Sequence, residues 1–92
     1  MSPMEELTET IIKDKVKEFV INNFLLGNAK NLNDDDSFIE KGIIDSTGVL
    51  ELVSFIEEAF RIKIEDEELV PDNLDSLNKA TSYVKRKIPN AG

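Results

Sequence analysis

Between Ile12 and Phe24 the apolar side chains Ile12, Val16, Phe19, Val20 and Phe24 fall at i, i+4, i+7, i+8 and i+12, the spacing that lines one face of an α-helix. The same period returns twice. Over residues 46–60, Val49, Leu52, Val53, Ile56, Ala59 and Phe60 share one arc, and Leu77, Ala80, Tyr83 and Val84 form a shorter stripe near the end of the chain. No stretch alternates with the period of two that a half-buried strand requires. A chain of 92 residues with 40% apolar content holds one core. We therefore expect an all-α fold, a small four-helix bundle occupying residues 1–92 as a single domain, with three main helices and one short one.

Turn and cap chemistry sets the expected boundaries: helix 1 over about residues 3–26, a loop over 27–45, helix 2 over 46–60, a short helix over about 65–70 and a last helix over about 76–88. Ser2, Pro3 and Glu5 have the order of an N-cap, a first helical residue and a capping-box partner, with Thr8 as the alternative start. Gly27-Asn28 supplies the stop. Glu65 to Val70 forms a turn or two closed by Pro71; Asp75-Ser76 caps the last helix, whose Lys85, Arg86 and Lys87 suit its C-terminal end before Pro89.

The segment between the first two helices is long for so small a domain, and long ordered loops tend to carry function. Leu32, Phe38, Ile39, Ile43 and Ile44 give it apolar anchors to pin on the core. Its Asp34-Asp35-Asp36 run has the residue type a hard cation wants but not the spacing. A calcium loop starting at Asn31 puts Asp36 in the turn-glycine position and Gly42 in the bidentate-glutamate position; later starts put Phe38 or Ile39 where glycine belongs. A solvated acidic turn is the better account, and no metal site is expected.

Cysteine and histidine are both absent, which removes disulfides, thiolate and imidazole ligands, and the usual nucleophile and general base at neutral pH. The chain is not expected to be an enzyme. Its net charge of −8 is concentrated: residues 31–72 carry −10, residues 1–30 carry −1 and residues 73–92 carry +3. Such a field repels nucleic acid and anionic membrane and favours a basic protein surface. The acids of helix 2 lie opposite its core arc, with Ser46, Thr47, Leu50, Glu51, Ser54, Glu57, Glu58 and Arg61 on the outward side. Leu50 among them makes an apolar contact with an anionic rim, suited to docking a basic partner. No apolar run is long enough to span a bilayer and the N-terminus lacks the order of a secretory signal, so a cytoplasmic monomer is expected.

Asp45-Ser46 is the sharpest local feature. An Asp-Ser pair before an amphipathic run is what an ordinary N-cap looks like. Its setting, between a pinned loop and an acidic helix face, also places a serine hydroxyl where another protein can modify it.

The run Phe38-Ile39-Glu40-Lys41-Gly42-Ile43-Ile44-Asp45-Ser46-Thr47-Gly48-Val49-Leu50-Glu51-Leu52-Val53, continued by Ile56-Glu57-Glu58-Ala59-Phe60, Ile62, Ile64, Glu65 and Asp66, resembles the acyl carrier protein family around its attachment site, and the resemblance extends over nearly the whole chain. It implies a 4′-phosphopantetheine arm on Ser46, supplied from coenzyme A by a phosphopantetheinyl transferase, with Asp45 helping to position the transferase and its metal. It further implies acyl or aminoacyl cargo held as a thioester, as in fatty acid or secondary metabolite biosynthesis. Thr47, Leu50, Glu51, Ser54, Glu57 and Glu58 would form the partner-binding face for an adenylate-forming ligase and downstream acyl-transfer enzymes. A long cargo would shelter among Val53, Ile56, Ile43 and Ile44. The leucine usual after the family's serine is Thr47 here, followed by Gly48, which is closer to D-alanyl carriers and to carriers served by stand-alone ligases than to the housekeeping fatty-acid carrier. The rival reading is an unmodified acidic helical adaptor in which Asp45-Ser46 is a cap only.

Overall fold

The structure is a computed structural model that describes residues 8–27 and 32–88. Among the described residues four α-helices follow one another: α1 (Glu9–Phe24), α2 (Ser46–Phe60), α3 (Pro71–Leu74) and α4 (Leu77–Lys87), with a 3₁₀ turn at Asp66–Glu68 before α3. No strand occurs among the described residues. The fold is thus the all-α bundle that the apolar periodicity calls for.

Thr8 caps α1, its hydroxyl accepting from the N–H of Ile11 at 3.3 Å. The start suggested at Ser2, Pro3 and Glu5 lies outside the described residues, as do Asn28 and Pro89. Past Phe24 the chain turns out of the helix through Leu26 and Gly27, both at positive φ (52° and 84°), and the Gly27 N–H donates back to the Ile21 carbonyl at 2.9 Å. Glycine takes that backbone region without the Cβ penalty that Leu26 bears.

Ile12, Val16 and Val20 of α1 are completely buried. They pack chiefly against α4, where Leu77, Ala80, Tyr83 and Val84 are buried as the sequence stripe requires. In α2 the buried line is Gly48, Leu52, Ile56 and Phe60, a single row of every fourth residue. Val49 and Val53, expected in the core, are half-buried, and Ala59 is exposed. The row is narrower than the expected arc because α2 leans on α1 along one edge instead of being wrapped. Phe55, which belonged to neither face of the helical projection, fills that edge by stacking on Phe19.

The segment after α2 differs from expectation. Pro71 does not close a short helix over 65–70; it stands at the first position of α3, after a 3₁₀ turn of three residues. Proline lacks the N–H that a first helical turn leaves unpaired, and its fixed φ suits that position. Of the loop anchors, Leu32, Phe38 and Ile44 are buried and Ile43 half-buried, whereas Ile39 is exposed. None of the described helices is long and apolar enough to cross a membrane.

Candidate functional site

α2 begins at Ser46, and the residue that caps it is Asp45, whose Oδ1 accepts the N–H of Gly48 at 2.7 Å. Ser46 is therefore not needed as the cap. It is exposed at the first helical position, with Asp45 and Thr47 exposed on either side.

Gly48 fixes how this helix start is seated. A Cβ at Gly48 would lie 2.8 Å from Cε1 of Phe24 and 2.9 Å from Cγ2 of Ile44, so the first turn of α2 presses directly on the last turn of α1 and on the loop. The loop is held from the other side by Asp75, just before α4. Its carbonyl accepts the Phe38 N–H at 3.1 Å, its Oδ1 accepts the Ile39 N–H at 3.0 Å, and its Oδ2 accepts the Ser37 hydroxyl. Phe38 in turn accepts from the N–H groups of Ile43 and Ile44 at 2.8 and 3.2 Å.

The acidic turn is tied down as well. Asp34 pairs with Lys13 of α1 at 2.9 Å, Asp35 accepts from the Asn78 side chain at 2.6 Å, and Asp36 accepts the Asn33 N–H at 2.9 Å with Lys41 at 3.6 Å. Asp34 and Asp35 clasp the loop to α1 and α4, and Asp36 ties the loop to itself, a more specific role than a solvated turn. Among the described residues no group of three or more Asp or Glu is arranged to hold a metal ion.

Beside Ser46 opens a largely apolar cleft of about 210 Å³, lined by Phe38, Ile39, Val49, Leu69, Val70, Pro71, Leu74 and Asp75. The four residues expected to shelter a long cargo do not line this cleft: Ile44 and Ile56 are sealed in the core at 1% and 0% exposure, and Ile43 and Val53 are half-buried elsewhere. The residues that do line it come from the loop after Phe38 and from the Leu69–Leu74 segment, which carries no helical period long enough to have disclosed a face.

That far wall is anchored by Glu68. Its Oε1 accepts from the Glu65 N–H, the Tyr83 hydroxyl and the Lys87 ammonium, each at 2.9 Å, and its carbonyl accepts from the Asn73 side chain at 2.9 Å. The backbone N–H of Glu65, then Lys87 and Tyr83, hold the Glu68 carboxyl down to about 2. Burial, reinforced by the adjacent Glu68 carboxylate, pushes the Tyr83 phenol well above its ordinary value.

On the other side of Ser46, Thr47, Leu50, Glu51, Ser54 and Glu58 are brought together along an open face that also includes Phe19 and Asn23 of α1 and Phe55. Leu50 is 59% exposed. Glu57 does not belong with them: it is half-buried, and its Oε2 accepts the Ile64 N–H at 2.8 Å, holding the chain that leaves α2. The hydrogen bond skips seven positions along the sequence, beyond any helical spacing, which is why a projection places Glu57 among the outward acids.

No family model matches the chain. Curated relatives do. The acyl carrier protein of Buchnera aphidicola is 29% identical over 76 residues, covering 83% of this chain and 91% of the relative. That of Solidesulfovibrio magneticus is 28% identical, covering 83% and 94%. A probable acyl carrier protein of Serratia, PigG, is 24% identical, covering 83% and 87%. Each match runs almost the full length of the relative, and this chain, with the all-α fold and the exposed helix-start serine described above, is similar to acyl carrier proteins over 83% of its length.

Proposed function

We propose that Ser46 bears a 4′-phosphopantetheine arm and that the chain hands acyl or aminoacyl groups between enzymes as thioesters on that arm. The observation that carries the reading is the position of Ser46: exposed at the start of α2, relieved of capping by Asp45, and on the lip between an apolar cleft and an acidic face. In the attachment reaction the Ser46 hydroxyl oxygen forms a new bond to the pantetheine-side phosphorus of coenzyme A, the pyrophosphate P–O bond breaks, the adenosine bisphosphate leaves, and the serine proton passes to a base of the transferase. This chain contributes only the hydroxyl and the surface that presents it. The arm, when attached, supplies the thiol that a sequence without cysteine lacks.

The residues present fit that group. The helix start offers an unhindered hydroxyl, and the cleft offers hydrocarbon walls within reach of it. Exposed Leu50, Glu51 and Glu58 offer a contact for basic enzyme surfaces, an adenylate-forming ligase among them. The Ser46-Thr47-Gly48 string, with Thr47 where leucine is usual, supports a specialised cargo, and the small cleft favours an aminoacyl or short acyl group. Incubation with coenzyme A and a broad-specificity phosphopantetheinyl transferase tests the reading by intact mass: one phosphopantetheinyl group is gained by the parent chain and none by Ser46→Ala.

A further inference from the structure

Phe19 of α1 and Phe55 of α2 stack face to face at the seam between the two helices, ring centroids 4.4 Å apart and 12° from parallel, and both rings remain half-buried. Shallow depressions open on either side of the stack, one of about 470 Å³ toward Thr47 and Leu50, the other of about 290 Å³ toward Lys15 and Asn22. The seam is open because α1 gives its buried stripe to α4, so that α2 meets only the flank of α1. Glu18 on α1 and Glu51 and Glu58 on α2 border the two depressions. All three are exposed, and none forms an ion pair with another described residue.

We propose that docking extends across this seam, so that α1 supplies half of the partner-binding surface. The occupant is a basic protein segment that sets an aromatic or branched aliphatic side chain beside the Phe19–Phe55 stack and places lysines or arginines over Glu18, Glu51 and Glu58. The proposal rests on the reading of α2 as a docking face and adds α1 to it. Apolar anchors ringed by complementary charge are the arrangement from which most interface energy is drawn, and the exposed strip of α2 alone offers a single aliphatic anchor, Leu50. A second copy of this chain is the wrong occupant, because it would bring the same carboxylates together at a net charge of −8 per chain.

The test uses the unmodified chain, labelled with nitrogen-15, and a synthetic amphipathic helical peptide of lysine and leucine with one tryptophan; a control peptide carries serine in place of the tryptophan. The expected result is chemical-shift change at the Asn23 side-chain amide and at the backbone amides of Phe19, Ser54 and Phe55, weaker for the control peptide. Glu18→Lys and Asn23→Arg, both at exposed positions, should raise the Kd about threefold to tenfold at low salt, as should Glu51→Lys. If Glu51→Lys weakens binding while both α1 variants leave it unchanged, docking is confined to α2 and the proposal is overturned with the α2 reading intact. Binding indifferent to all three variants, shifts confined to Asp34–Asp36, or no binding at all overturns both.

Discussion

The carboxylate of Asp45 accepts the backbone N–H of Gly48 at 2.7 Å, and this bond settles which of two adjacent residues, each able to cap α2, does so. With the cap assigned to Asp45, Ser46 stands at the first helical position with no structural duty that the helix requires of it. The neighbouring contact of Gly48 with Phe24 and Ile44 then locks the helix start against α1, so the serine is presented from a rigid end.

Asp45→Ala should lower stability by about 1 kcal/mol, the usual worth of an N-cap, and Asp45→Asn should recover most of it. Ser46→Ala should change stability by less than about 0.5 kcal/mol, as an exposed substitution does. Urea unfolding followed by circular dichroism distinguishes the two. Equal losses for Asp45→Ala and Ser46→Ala would mean that the cap is shared.

Gly48→Ala sets two effects against each other. Alanine is favoured over glycine in a helix by up to about 1 kcal/mol, but the added methyl meets a ring carbon and a branched methyl inside 3.0 Å. Overpacking of this kind costs about 1–3 kcal/mol, so the net expectation is destabilisation. Combining Gly48→Ala with Phe24→Leu should recover part of the loss if the clash with the ring is its cause; thermal melts of the two variants supply the comparison.

Arg61, the residue that follows α2 and caps its C-terminus, lies in the left-handed region at φ 57° and ψ 47°. A residue with a Cβ pays about 1 kcal/mol there, and glycine does not. Arg61→Gly should therefore stabilise the fold by about 0.5–1 kcal/mol, visible as a higher urea midpoint with an unchanged slope.

Glu68 links stability to acid. Its carboxyl lies at about 2 in the folded chain against an ordinary value of 4.5, so between these values the unfolded chain binds the proton and the folded chain does not. Its contribution is complete above pH 4.5 and lost as pH falls toward 2. The stability gap between the parent and Glu68→Gln should accordingly narrow over that range when urea midpoints are measured at several pH values. Tyr83 is the one tyrosine in the chain, so tyrosinate absorbance reports on it alone. Its folded value is raised, first by burial and then by Glu68. The stability this lends is complete below the ordinary tyrosine value of 10.0 and fades at higher pH, and Glu68→Gln should let tyrosinate form at lower pH than in the parent.

How far the sequence discloses this molecule follows from what side-chain period can report. The stripes Ile12–Val16–Val20 and Leu77–Ala80–Tyr83–Val84 are local, repeat within one helix, and are buried in the structure. Asp45-Ser46 is visible for the same reason, as a cap signal ahead of such a stripe. What period does not report is the partner across space. Glu57 reads as an outward acid because the Ile64 N–H it binds belongs to the following segment. Phe55 reads as neither inside nor outside because its partner is Phe19 on another helix. Pro71 reads as a stop, although proline stops one helix and starts another equally well, and only the packing of Leu74 decides which. The cleft beside Ser46 is invisible for a related reason: its walls come from residues 38–39, 49, 69–71 and 74–75, which no repeat connects.

The central claim is that the Ser46 hydroxyl carries the arm, and peptide-level mass spectrometry tests it most directly. After reaction with coenzyme A and a phosphopantetheinyl transferase active on another carrier, the digest should contain a phosphopantetheinylated fragment with the modification on Ser46, stoichiometric in the parent chain and absent from Ser46→Ala. An unmodified parent chain under those conditions, or a modified Ser46→Ala chain, would contradict the account.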